Sequence, residues 1–73
     1  MDVQEELMMI VAKTLEISPR DIDVEENLLV LGLHSLALMS IAEQIAQRFD
    51  KTIGFAELMQ NPTINAWEAL VRA

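Results

Sequence analysis

The chain has 73 residues, 52% of them hydrophobic, and a formal net charge of -7 from 12 Asp and Glu against 5 Lys and Arg. That length allows one small domain over residues 1–73, burying only about 60% of the surface its unfolded form exposes, so a deep enzyme cleft is not expected. The absence of cysteine excludes disulfides, thiolate metal sites and any thiol chemistry of the chain's own.

The acidic balance argues against a nucleic-acid partner, because phosphate neutralisation dominates that kind of affinity. It equally disfavours an anionic membrane, and its natural complement is a partner with a basic docking patch. No apolar run approaches the roughly 20 residues of a membrane span. The start, MDVQEELMM, lacks the basic segment of a signal peptide, so a cytoplasmic location and no membrane partner are expected.

Asp2 followed by Glu5 reads as an N-cap with a capping-box partner. Val3, Leu7, Ile10, Val11 and Leu15 recur at helical spacing and predict a first helix over about residues 3–16. Pro19 biases Ser18 away from the α region and ends it. Residues 17–34 then form a long connection, of a length that is uncommon in compact domains and often functional. It is acidic, yet Ile22, Leu28, Leu29 and Leu31 are expected to pin it to the core.

A second helix is expected from about Ser35 to Phe49, with Leu38, Ile41, Ala42, Ile45 and Phe49 on one face. The stretch FAELMQ is long enough for a short third helix. NPT breaks the chain, and Thr63 caps a last helix lined by Ile64, Trp67, Leu70 and Val71. Leu38, Ile41, Ile45, Phe49 and Trp67 are expected in the core. The fold class is all-α: a small four-helix bundle of three longer helices and one short one, with a long first loop.

Little chemistry is available within this frame. His34 and Ser35 are neighbours on a helix and do not face each other, so His34 is badly placed to deprotonate Ser35. GLHSL is not the G-x-S-x-G elbow of a hydrolase. The single histidine cannot build a zinc site. DIDVEENLLVLG, counted from Asp21, puts Glu26 where a calcium loop needs glycine and Gly32 where it needs glutamate. No catalytic residue and no metal ligand is expected. Ser35 at a helix start reads either as a simple cap or as the acceptor of a phosphate-bearing group, which the helix N-terminus favours. Leu36 and Met39, off the core face, suggest an apolar docking surface beside it.

The stretch NLLVLGLHSLALM resembles the attachment motif of phosphopantetheine-dependent carrier proteins, whose L-G-x-x-S-L core holds the modified serine. Gly32 matches the motif's glycine, Ser35 its serine and Leu36 the leucine that follows. SPRDIDVEENLL resembles the family's first loop and NPTINAWEALV its final helix, so the likeness spans nearly the whole chain. The N-P-T-I-x-A-W ending and the GLHS spelling are most similar to aryl carriers of siderophore-type nonribosomal peptide synthesis. His34, where aryl and acyl carriers mostly have aspartate, is shared with peptidyl carriers, and Val30 stands where an acid is common.

The resemblance implies a non-enzymatic carrier with 4'-phosphopantetheine attached covalently to Ser35, flanked by Gly32, His34 and Leu36. It implies a hydroxybenzoate-like aryl acid held as a thioester, or alternatively an amino acid or other acyl group on a peptidyl or acyl carrier. The implied partners are a phosphopantetheinyl transferase, an adenylation enzyme and a condensation domain. His34 would be a surface residue read by the transferase. Leu36, Met39, Phe55 and Met59 are candidate docking residues, since helices two and three border the arm in this family, and a monomer is expected. A remoter alternative is an unmodified acidic helical interaction module.

Overall fold

The structure, a computed structural model, describes residues 2–73. It contains α1 (Val3–Leu15), a 3-10 turn at Pro19–Asp21, a second at Leu28–Leu31, α2 (Ser35–Phe49), α3 (Phe55–Gln60) and α4 (Ile64–Arg72). Helix α1 packs against α2 and α4, and α3 packs against α2. The expected four-helix bundle with one short helix is what forms, and no strand occurs among the described residues.

Three of the four helices start on a side chain that relieves an unpaired N–H group. Asp2 Oδ1 accepts from the Glu5 N–H at 2.8 Å, although the reciprocal bond of a capping box is not made among the described residues. Thr63 Oγ1 accepts from Ala66 at 3.1 Å, as its position predicts. Glu57 reaches back to the Gly54 N–H at 3.1 Å and tightens the start of α3. Glu16, at φ 57, ends α1 in a left-handed turn. The helix therefore stops one residue before the expected boundary, ahead of Pro19.

The core is built from every element: Leu7, Val11 and Ala12 of α1, Ala37, Leu38, Ile41 and Ile45 of α2, Leu58 of α3, and Ile64 and Trp67 of α4, with Ile22, Leu28, Leu33 and Ile53 from the connections. One expectation for α2, that Phe49 is in the core, needs correction. Phe49 and Ala42 lie at the edge of the core, half-buried, while Ala37 is inside. Phe49 is the last residue of the helix, where the bundle no longer closes over it.

Trp67 is fully buried, and its indole N–H donates to the Leu58 carbonyl at 3.1 Å. That carbonyl would ordinarily accept from the residue four positions on, which is Pro62 and has no N–H. The indole therefore satisfies a buried acceptor that proline leaves open, and ties α4 to the end of α3.

The long connection is held as firmly as the helices. The Asn65 N–H donates to the Val24 carbonyl at 3.0 Å, and the Leu28 N–H to the Pro62 carbonyl at 2.8 Å. These two bonds lay residues 24–28 across the α3–α4 junction. Together with buried Ile22 and Leu28, they deliver the chain to the start of α2 along a fixed path.

Candidate functional site

The approach to Ser35 is a sequence of local constraints. Asn27 Oδ1 accepts from the Leu29 N–H at 2.8 Å and opens the 3-10 turn Leu28–Leu31. Gly32 closes it at φ 98, its N–H and that of Leu33 returning to the Leu29 and Leu28 carbonyls at 3.2 and 3.4 Å. A Cβ added at Gly32 would meet nothing within 4 Å, so glycine is needed for its backbone conformation and not for space. Another residue in that left-handed region would cost about 1–2 kcal/mol. Leu33 then turns inward and is buried.

Helix α2 starts at Ser35 with His34 as its N-cap. The His34 Nδ1 accepts from the Ala37 N–H at 3.4 Å, a long bond, and its carbonyl accepts from Leu38 at 2.8 Å. This sets aside the capping reading of Ser35. The cap is the histidine, and Ser35 is the first residue inside the helix. Its side chain is exposed, and no hydrogen bond among the described residues involves its hydroxyl or the backbone N–H groups of Ser35 and Leu36. Capping also gives His34 a role beyond the surface one that the resemblance implies.

A free hydroxyl beside two free N–H donors, at the positive end of a 15-residue helix, suits a phosphodiester. The residues present therefore fit a phosphopantetheine group on Ser35. No polar or charged residue is buried among the described ones, and none of them form a cluster of three or more His, Asp and Glu able to hold a metal.

Around the serine, Leu36 and Met39 are exposed, and so are Phe55 and Met59 on α3 at 40% and 39%. Leu58, between those two, faces inward and is fully buried. One face of this short helix can reach the interior, and Leu58 occupies it. Leu29 is also exposed. It was expected to pin the loop, but the 3-10 turn gives the inward position to Leu28 instead. Val30, singled out in the sequence only as standing where an acid is common, is as exposed as Leu36 at 74%.

With the geometry in place, comparison with known proteins is informative. The family described as "Phosphopantetheine attachment site" matches residues 5–71. Among curated relatives, the chain is 38% identical over 61 residues to an isochorismatase of Bacillus subtilis, covering 84% of this chain and 19% of that protein. It is 42% identical over 53 residues to pseudomonine synthase PmsE of Pseudomonas entomophila, covering 73% and 8%. The nonribosomal peptide synthetase SIDC of Beauveria bassiana is 30% identical over 63 residues, covering 86% and 1%. The chain thus spans less than a fifth of the length of each of these relatives.

Among solved structures, a carrier in the complex of the phosphopantetheine transferase Sfp with coenzyme A and a peptidyl carrier protein superposes with a TM-score of 0.92. It is 26% identical and covered over 91% of its length, with 99% of this chain aligned. The chain belongs to the phosphopantetheine attachment family. It is a carrier domain, which binds 4'-phosphopantetheine covalently and is not itself a catalyst. No helix among the described residues is long and apolar enough to cross a membrane.

Proposed function

We propose that residues 1–73 form a single carrier domain whose Ser35 receives the phosphopantetheine arm, and that its cargo is a hydroxybenzoate-like aryl acid used in siderophore-type nonribosomal peptide synthesis. The observation that carries the assignment is the free Ser35 hydroxyl at the first position of α2, just past the Gly32–His34 turn, inside the family match. When attached, the arm supplies a thiol that holds the acid as a thioester. The chain contributes the acceptor oxygen, the helix N-terminus beside it and the faces that partners read.

A phosphopantetheinyl transferase, an aryl-acid-activating adenylation enzyme and a condensation domain are the partners this reading requires, in the cytoplasm. The aryl cargo is supported by the resemblance of N-P-T-I-x-A-W to aryl carriers. It is also supported by likeness to proteins named isochorismatase and pseudomonine synthase. A peptidyl carrier is the second reading, favoured by His34 and by likeness to a peptidyl carrier protein. Leu36, Met39, Phe55 and Met59 form the docking patch.

Intact mass after incubation with a broad-specificity transferase, coenzyme A and magnesium is expected to show one added phosphopantetheine. Ser35→Ala abolishes it while the helical spectrum persists, whereas Ser18→Ala and Ser40→Ala do not. Modification of the Ser35→Ala protein would overturn the assignment. Loading by a panel of adenylation enzymes separates aryl from amino-acid cargo.

A further inference from the structure

Of the seven exposed large hydrophobics, six belong to the stretch 29–39 and to α3, in the surroundings of Ser35 described above. The seventh, Met9, is exposed at 48% and lies apart on α1. It borders a groove of about 460 Å³ along the α1–α2 seam, with Ile10 and Lys13 on the same wall and Gln44, Gln47 and Arg48 on the other. The groove continues into a second hollow that shares Lys13, Gln44 and Gln47 and reaches Ser40 and Glu43. Gln44 follows Ser35 by about two and a half helical turns, so the seam opens on the side of α2 opposite the serine.

Charge sets this seam apart from the rest of the surface. It is lined by two cations, Lys13 and Arg48, and two carboxylates, Glu6 and Glu43, so the net charge of -7 lies wholly outside it. Arg48 and Glu6 already pair with each other. Lys13 and Glu43 are exposed, and neither joins an ion pair among the described residues. The contacts of Thr14 with Gln44 and of Glu6 with Arg48 run in opposite chain directions, so the two helices are antiparallel. Lys13 and Glu43 each precede a member of the Thr14–Gln44 bond by one residue. They therefore stand at nearly the same level, about 3 Å apart along the seam.

We propose that the α1–α2 seam is a self-association surface and that its occupant is a second copy of this chain. A twofold axis running along the seam lays α1 of each copy over α2 of the other. Lys13 then meets the partner's Glu43, and Glu43 meets the partner's Lys13, as a self-complementary interface requires. Met9 is covered beside them. Two molecules of net charge -7 repel each other over most of their surface. A neutral seam carrying one free charge of each sign is where they can meet.

From Ser40 to Arg48 the seam is about 12 Å long and two helices wide. That falls well short of the roughly 800 Å² per partner of a stable complex, so the pair is weak and reversible. Because the seam faces away from Ser35, both serines stay open to the enzymes that modify and load them. The pairing replaces the monomer that the resemblance implies, and it does not depend on which acid is carried.

The test is a charge reversal read by sedimentation equilibrium of the unmodified chain. From about 0.05 to about 2 mM, the wild-type mass is expected to rise towards that of a dimer and stop there. Lys13→Glu and Glu43→Lys should each weaken association by about tenfold, because each variant sets like charges together at both symmetry-related positions. The double variant, Lys13→Glu with Glu43→Lys, should return to within about threefold of wild type. All three should keep the wild-type helical spectrum, since both side chains are exposed. A wild type that stays monomeric throughout, single variants that associate like wild type, or a double variant no better than the singles would each overturn the proposal. Growth beyond a dimer would overturn the twofold pairing, because only a closed interface stops at two.

Discussion

At its C-terminal end α2 pairs two of its polar side chains with α1. Arg48 Nε lies 2.6 Å from Glu6 Oε1, and Gln44 Nε2 donates to Thr14 Oγ1 at 3.1 Å, both across the seam with α1. At its N-terminal end the same helix shows the opposite habit. The serine hydroxyl is unpartnered, and Leu36 and Met39 stand in solvent. Both ends share one buried stripe, Leu38, Ile41 and Ile45, so the fold requires the stripe and tolerates either surface. What distinguishes the N-terminal end is that, beyond the His34 cap, the exposed Ser35 hydroxyl, Leu36 and Met39 contribute nothing to the core. That surplus supports the proposal that this is the working end.

The sharpest way to break this comparison is to cut the shared stripe. Ile45→Ala should cost about 2–5 kcal/mol, the range for truncating a fully buried side chain, a large part of a small domain's stability. A wild-type urea midpoint for this variant would mean that the stripe is not the core. His34→Ala removes the cap at the working end and should cost about 1 kcal/mol, less than a short cap would because the bond is 3.4 Å. His34→Asp should restore that stability, since aspartate is a better cap. Stability that is equal in all three proteins would dismiss the histidine cap.

At the other end, Arg48→Ala tests a pair whose arginine is 56% exposed. Such pairs contribute about 0–1 kcal/mol and less at high salt, so a loss of several kcal/mol would show that the seam depends on it. The smallest effect on stability belongs to Met39→Ala and Met59→Ala, which should leave the melting temperature and Ser35 modification nearly unchanged. Their expected defect is slower transfer of the carried acyl group to a condensation partner, because methionine suits a surface read by several enzymes. Destabilisation of both variants with normal transfer would remove them from the docking patch.

Period and caps made most of the bundle legible in advance. The bounds of α2 and α3 and the Thr63 cap could all be read from local pattern, because a helix advertises its face every three to four residues. The connection was harder. A 3-10 turn has no such repeat, so the choice of Leu28 over Leu29 as the inward residue depends on the Leu28 N–H meeting the Pro62 carbonyl, 34 positions away. Capping by His34 was missed for a related reason: serine is the more frequent cap, and only the register of the preceding turn excludes it. Ser35 was singled out by its place at a helix start and then by resemblance to a motif, and the structure adds why Gly32 is a glycine.

The indole of Trp67, sealed in the core and bonded to the Leu58 carbonyl, is the molecule's single tryptophan, and there is no tyrosine. Its fluorescence is therefore a one-site gauge of whether α3 and α4 remain joined. Emission from so dry a setting lies toward the blue and moves to the red once water reaches the ring. Because the probe sits among interior side chains and not on the rim around Ser35, it should be indifferent to attachment of the arm. Folding and modification can then be followed in the same cuvette by separate signals.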